Sequence, residues 1–179
     1  MSSFSATNWE VRPMGNEFIP LFAAWIAKID PHRQLNQDLM IAQIKGEVDL
    51  AAITNLVEYN VGMFNRQPAF FMNGYLSDAK GFFPGTKGMR KDYYLNMFIG
   101  PIFLSWLDLY LQAWHQALSY LFNRHNIGRV LVEVDKLNGI EKKAMMRLGF
   151  KPITHSRAHS SKYHLLVCPR ADFSPFLHL

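Results

Sequence analysis

The chain has 179 residues, of which 18% are charged and 14% aromatic. That is enough for a hydrophobic core, and it excludes a disordered chain while leaving a partly apolar surface, suited to a ligand cleft or a partner. The net charge of +5 fits an anionic cofactor of nucleotide type at least as well as nucleic acid. No nucleic-acid recognition motif is present and the positive charge is dispersed, so nucleic acid is not expected as a partner.

Cys168 is the single cysteine, which excludes an internal disulfide and argues against a Cys-based zinc site. It sits in the strand-like run HLLVC and reads as a buried thiol rather than a nucleophile. The opening MSSFSATNWEV lacks a basic segment followed by an apolar one, so a cytoplasmic protein is the expectation. Neither repeats nor low-complexity linkers divide the chain, so residues 1–179 are read as a single domain.

In chain order, NWEVRP (8–13) predicts a short strand stopped by Pro13. Residues 15–29 predict a helix with Asn16 as its N-cap, and 34–45 a second helix. The segment 47–53 is ambiguous. Residues 54–64 and 68–77 predict an antiparallel hairpin around the turn NRQ. The Gly- and Lys-rich stretch 78–92 reads as a loop, and YYLNMFI (93–99) as a strand. The helix near 103–122 carries a stripe of Leu107, Leu111, Trp114, Leu118 and Leu121, but its Asp108, His115 and Gln residues are too polar for a membrane span. RVLVEVD (129–135) predicts a strand, 138–149 a helix closed by Gly149, and KPITHSR with YHLLVCPR a final strand pair. The spacing from Gly100 through the long helix to RVLVEVD fits a βαβ crossover, so the strands ending at Ile99 and Asp135 should be parallel neighbours that part at their C-terminal ends.

This order of elements, together with Asn138 followed by Gly149-Phe150 in VEVDKLNGIEKKAMMRLGFKPI, resembles the GNAT acetyltransferases. The resemblance implies an α/β (α+β) GNAT fold: a central mixed, mostly antiparallel sheet with one parallel βαβ splay and helices on both faces. NMFIGPIFLSW, ALSYLFNRHNIGRVLVEVD and KYHLLVCPRADF resemble more narrowly the siderophore-biosynthesis branch, the aerobactin-type hydroxylysine acetyltransferases and mycobactin-type lysine acyltransferases. The implied activity is CoA-dependent N-acyl transfer to a small amine or hydroxylamine, with acetyl-CoA or another acyl-CoA as co-substrate.

Such chemistry must grip pantetheine along a strand edge, hold a pyrophosphate, deprotonate an amine and stabilise a leaving thiolate. The resemblance implies Phe98, Ile99 and Gly100 for the pantetheine, Ser105 and Trp106 for the pyrophosphate, and Asn138 as a further cofactor-binding residue. Asp135 matches the family's acid after the fifth strand. The family's histidine position holds Asn96, whose amide cannot accept a proton but can orient a substrate oxygen. The turn from Phe103 to Leu109 lacks the glycines that let backbone N–H groups approach phosphate, and a Tyr found in many of these proteins is replaced by Met145. Tyr93, Tyr94 and Tyr163 are the remaining hydroxyls that could serve the thiolate if the fold brings them near. Lys80, Lys87, Arg90 and Lys91 crowd one loop that reads as a solvated loop or an anion-attracting one. The three histidines of THSRAHSSKYH lack nearby Cys or carboxylate, so no metal is expected. A non-catalytic GNAT-fold protein binding a partner or small ligand is the second reading, and a homodimer stays open.

Overall fold

The computed structural model describes residues 8–29, 37–54, 57–77, 91–124, 127–136, 138–153 and 163–174. In chain order these form β1 (Trp9–Pro13), a 3-10 turn (Asn16–Phe18), α1 (Ile19–Ile29), α2 (Gln37–Thr54), β2 (Glu58–Phe64), β3 (Gln67–Ser77), β4 (Lys91–Ile99), α3 (Pro101–Leu104), α4 (Leu107–Arg124), β5 (Ile127–Asp135), α5 (Gly139–Arg147), β6 (Lys151–Pro152) and β7 (Tyr163–Pro169). Seven strands make one mixed sheet in the order β1-β2-β3-β4-β5-β7-β6. The lysine-rich loop and the histidine-rich segment lie outside the described residues, apart from Lys91, which opens β4, and His164, which lies on β7. Among the described residues no group of three metal-ligating side chains occurs, and no helix is long and apolar enough to cross a membrane.

Several boundaries differ from the sequence expectation: β4 opens at Lys91 and β5 at Ile127, each two residues early, and β2 starts only at Glu58. Asn16 is the first residue of a 3-10 turn that Gly15 precedes, not a side-chain cap. The ambiguous 47–53 stretch continues α2. Ile41, Ile44, Val48 and Ala51 recur at helical spacing on its buried face, but the exposed Leu39, Leu50 and Ile53 blur that stripe in the sequence. Pairs four residues apart, Gln43 with Glu47 and Lys45 with Asp49, also support the helix. The long helix is broken at Ser105-Trp106 into α3 and α4.

The described residues fall into two compact units, one within 1–73 and 97–113, the other within 74–96 and 114–179. In the first, Asn65 and Arg66 both take positive φ (51° and 64°) and close a two-residue turn between β2 and β3. Phe22 and Trp25 of α1 pack on Phe71 of β3, with ring centroids 4.8 and 4.9 Å apart. That apolar layer, completed by Ile44 of α2 and Val61 and Met63 of β2, holds the two helices on the strands.

In the second unit β4 and β5 run parallel, paired from Lys91↔Ile127 to Tyr94↔Leu131, as the crossover spacing predicted. β7 pairs antiparallel along β5 from Arg129↔Pro169 to Asp135↔Tyr163. The α5 C-terminus closes as predicted. Gly149 has φ +92°, and Phe150 donates its N–H to Met145 O at 3.1 Å. Cys168 is fully buried, its thiol pushed up to about 12 by burial, so it is no nucleophile at neutral pH.

Asp92, 2% exposed, receives Arg129 Nε at 2.8 Å and Nη2 at 2.7 Å across the β4–β5 pair. Asp92→Ala would take both of these bonds from the guanidinium. Because Arg129 keeps a quarter of its side-chain surface, the expected loss is roughly 2–3 kcal/mol, below the fully buried case. A thermal melt should show a fall of about 4–12 °C. An unchanged melt would deny the pair its structural role.

Candidate functional site

The β4–β5 ladder ends at Tyr94↔Leu131, yet β4 continues to Ile99 and β5 to Asp135. Gly100 donates its N–H to Ala69 O on β3 at 2.8 Å, and the Tyr94 carbonyl also turns toward β3, where Gly74 sits against it. Even-numbered positions of β4 thus direct their backbone groups to β3. The strand's period of two turns those of Met97 and Ile99 to the opposite edge. Of the residues expected to offer backbone to pantetheine, Gly100 gives its N–H to β3, Phe98 shares its parity, and Ile99 has the opposite one, which it shares with Met97, a position outside the sequence expectation.

Gly100 is fixed by a close approach: a Cβ there would lie 2.7 Å from the Trp25 ring and 3.1 Å from Ala69 O. Pro101 then starts α3, with its fixed φ and missing N–H both suited to a first helical position. Phe103 is buried against Trp9 and Phe64, at 5.9 and 5.8 Å between centroids. The apolar turn is therefore a packed helical plug. Ser105 caps the C-terminal end of α3 and donates its Oγ–H to Pro101 O at 3.3 Å, so it is not the N-cap of the helix that follows. Trp106 is exposed and precedes α4, whose first bonded N–H is that of Tyr110, to Trp106 O. The N–H groups of Leu107, Asp108 and Leu109 form its open first turn. Asp108, in that turn, suits the helix dipole and would repel an anion.

The registers Asp92↔Arg129 and Tyr94↔Leu131 put even positions of β4 and odd positions of β5 on one sheet face. Asn96, Glu133 and Asp135 share that face. Asn96 and Glu133 are exposed and Asp135 is half-buried. Tyr163 stands opposite Asp135 on β7, the cross-strand position where side chains meet. Of the other hydroxyls, Tyr93 is core, 1% exposed, and Tyr94 is stacked on Tyr75 at 5.2 Å. Burial first, then the neighbouring Tyr75 and acidic groups, raises the Tyr94 phenol above its ordinary range. Met145 is fully buried. Asn138 caps α5: its Oδ1 accepts from Glu141 N at 3.1 Å and its Nδ2 donates to Glu141 Oε2 at 2.8 Å.

Within the first unit, α1, α2 and the ends of β2–β4 enclose a cavity of about 440 Å³. Its walls include Phe22, Ile26, Met40 and Phe98, and Phe98 lies on the same face of β4 as Asn96. Polar groups enter from Glu47, Tyr59 and Asn73. Tyr59 donates its hydroxyl to Glu47 Oε2 at 3.0 Å and accepts from Asn73. Burial raises the Tyr59 phenol above its ordinary range, the Asn73 hydrogen bond opposes this, and Glu47 adds to it, so Tyr59 stays a neutral phenol. These residues are spread over positions 47, 59 and 73, and no motif spacing links them in the sequence.

Neither a protein-family model nor a curated protein sequence matches the chain. Solved structures do. An uncharacterized protein from Bacillus halodurans aligns at TM-score 0.73 and 14% identity, over 92% of this chain and 86% of its own. FdhC, a nucleotide-linked sugar GNAT, aligns at TM-score 0.71 and 9% identity over 96% of each chain. The aminoglycoside acetyltransferase AAC(6')-Ib, solved with ribostamycin and coenzyme A, aligns at TM-score 0.68 and 12% identity, over 92% of this chain and 95% of its own. The fold is that of the GNAT acetyltransferases. Within this fold α3 takes up the start of the glycine-free stretch that follows β4.

Gly100→Ala must push Trp25 or part β3 from β4, at a cost of roughly 1–3 kcal/mol. Denaturant unfolding should show a lower midpoint. A variant as stable as the native chain would show that the approach at Gly100 is not required.

Proposed function

We propose that the chain is a CoA-dependent N-acyltransferase acting on a small amine. The observation that carries this reading is the end of the β4–β5 ladder at Tyr94↔Leu131, beyond which the parity of β4 turns the backbone groups of Met97 and Ile99 to the edge away from β3. An N–H and a C=O on such an edge fit the amides of a pantetheine arm. The open first turn of α4 supplies N–H groups and a helix dipole for a pyrophosphate, without glycine and against the charge of Asp108. Acyl-CoA when bound supplies the activated thioester. In this reading Asp135 accepts the proton that the amine loses, directly or through a water. The amine nitrogen bonds to the acyl carbon, the carbon–sulfur bond breaks, and Tyr163, opposite Asp135, gives a proton to the sulfur and takes the amine's proton back from Asp135. Asn96 orients an oxygen of the acceptor, and Asn138 contributes by starting α5 rather than by touching the cofactor. The narrower form of the proposal, drawn from the sequence resemblance over residues 68–172, is a hydroxylamine-type acceptor in siderophore assembly.

A non-catalytic GNAT-fold binding protein is the second reading. It is favoured by Asn96 in place of a base, by Phe103 filling the turn, and by Met145 packed where a tyrosine would serve the thiolate.

Free thiol released from acetyl-CoA in the presence of primary amines separates the two readings. The acyltransferase reading expects amine-dependent release. Asp135→Asn should lower kcat by about 10²–10⁴-fold while leaving acetyl-CoA affinity nearly unchanged, because a base acts in the transition state. A fully active variant removes Asp135 from the mechanism, and no release with any amine favours the binding protein.

A further inference from the structure

The cavity wall holds a carboxylate with no ion pair among the described residues. Glu47 Oε1 accepts from Gln43 Nε2 at 3.1 Å and Oε2 accepts from Tyr59. Two donors thus reach the carboxylate, and neither exhausts its lone pairs. Among the described residues, no Lys or Arg lines the cavity and no ion pair engages Glu47. Asn73 Oδ1 is buried without a hydrogen-bond partner among the described residues, while the amide nitrogen of Asn73 is directed to Tyr59. The spare positions on Glu47 and Asn73 are thus acceptors. An ammonium group is the complement, having three donors and no acceptor. Around this polar corner the wall is apolar, formed by Phe22, Ile26, Met40 and Phe98. The volume, about 440 Å³, is that of a small-molecule site.

We propose that Glu47 and Asn73 bind the ammonium group of a small organic cation whose apolar body lies along Phe22, Ile26, Met40 and Phe98. Taken with the acyltransferase reading, on which this step rests, the bound cation is the acceptor. A carboxylate partner keeps an ammonium protonated and therefore non-nucleophilic. The group on Glu47 is then a recognition handle, and the nitrogen that is acylated is a second one. The acceptor class is a compound with two amino groups separated by an apolar spacer.

The test is calorimetric titration of the full chain with 4-methylbenzylamine and with 4-methylbenzyl alcohol, which differ in the cation. The amine should bind at least about tenfold more tightly. Glu47→Gln keeps the shape and an acceptor for Tyr59 and sits on the exposed side of α2, so a melting curve should match the native one. It should abolish the preference for the amine. Equal affinities for amine and alcohol, or a Glu47→Gln protein that keeps the preference, would overturn the proposal. In turnover with 1,4-bis(aminomethyl)benzene, Glu47→Gln should raise KM about tenfold or more with kcat nearly unchanged, the mark of lost uniform binding. Thiol release with a KM indifferent to Glu47→Gln would overturn the cation site and leave the acyltransferase reading standing. Glu47-dependent binding of the amine without any thiol release would do the reverse.

Discussion

Much of the site depends on the Asp92–Arg129 pair. The parallel ladder between β4 and β5 is short and has an irregularity between Lys91 and Asp92. A short parallel ladder is a weak guarantor of register. A buried carboxylate gripped through two guanidinium nitrogens admits one register, since a slip of one residue would strand the charge and turn every side chain to the opposite face. The parity it sets places Asn96, Glu133 and Asp135 on one face, and beyond Tyr94 and Leu131 the strands are free to part.

The segment after β4 shows a competition between packing and ligand access. A phosphate-binding turn needs backbone without side chains. Here Gly100 is reserved for the approach to Trp25 and β3, and Phe103 fills a space against Trp9 and Phe64. Ile102, Leu104 and Trp106 are left exposed, at 68%, 54% and 66%. Any anion held there meets the start of α4, with Asp108 opposing it, so a glycine-free turn of this kind should hold coenzyme less firmly than a glycine-rich one.

Elements with a strong local signal were legible in the sequence. The crossover from β4 to β5 followed from spacing, and the end of α5 from Gly149, whose positive φ only glycine adopts readily. Asp135 at the end of its strand was legible through family resemblance, and the structure adds its facing Tyr163. α2 was read short because exposed Leu39, Leu50 and Ile53 blur the stripe of Ile41, Ile44, Val48 and Ala51, and Glu47 was lost with its second half. The Glu47–Tyr59–Asn73 chain is assembled by tertiary packing of α2 on β2 and β3 and carries no spacing rule. Glu133 was passed over although period two puts it on the face of Asp135, whereas placing Asn96 on that face needs the β4–β5 register.

The central claim is that the edge of β4 away from β3 and the first turn of α4 hold an acyl-CoA. Amide hydrogen exchange, with and without saturating coenzyme A, tests it most directly. The account predicts slowed exchange at Met97 and Ile99 and at Leu107 to Leu109, with the amide of Gly100, already bonded to Ala69, unchanged. Protection confined to other parts of the chain, or none at any coenzyme concentration, would contradict it.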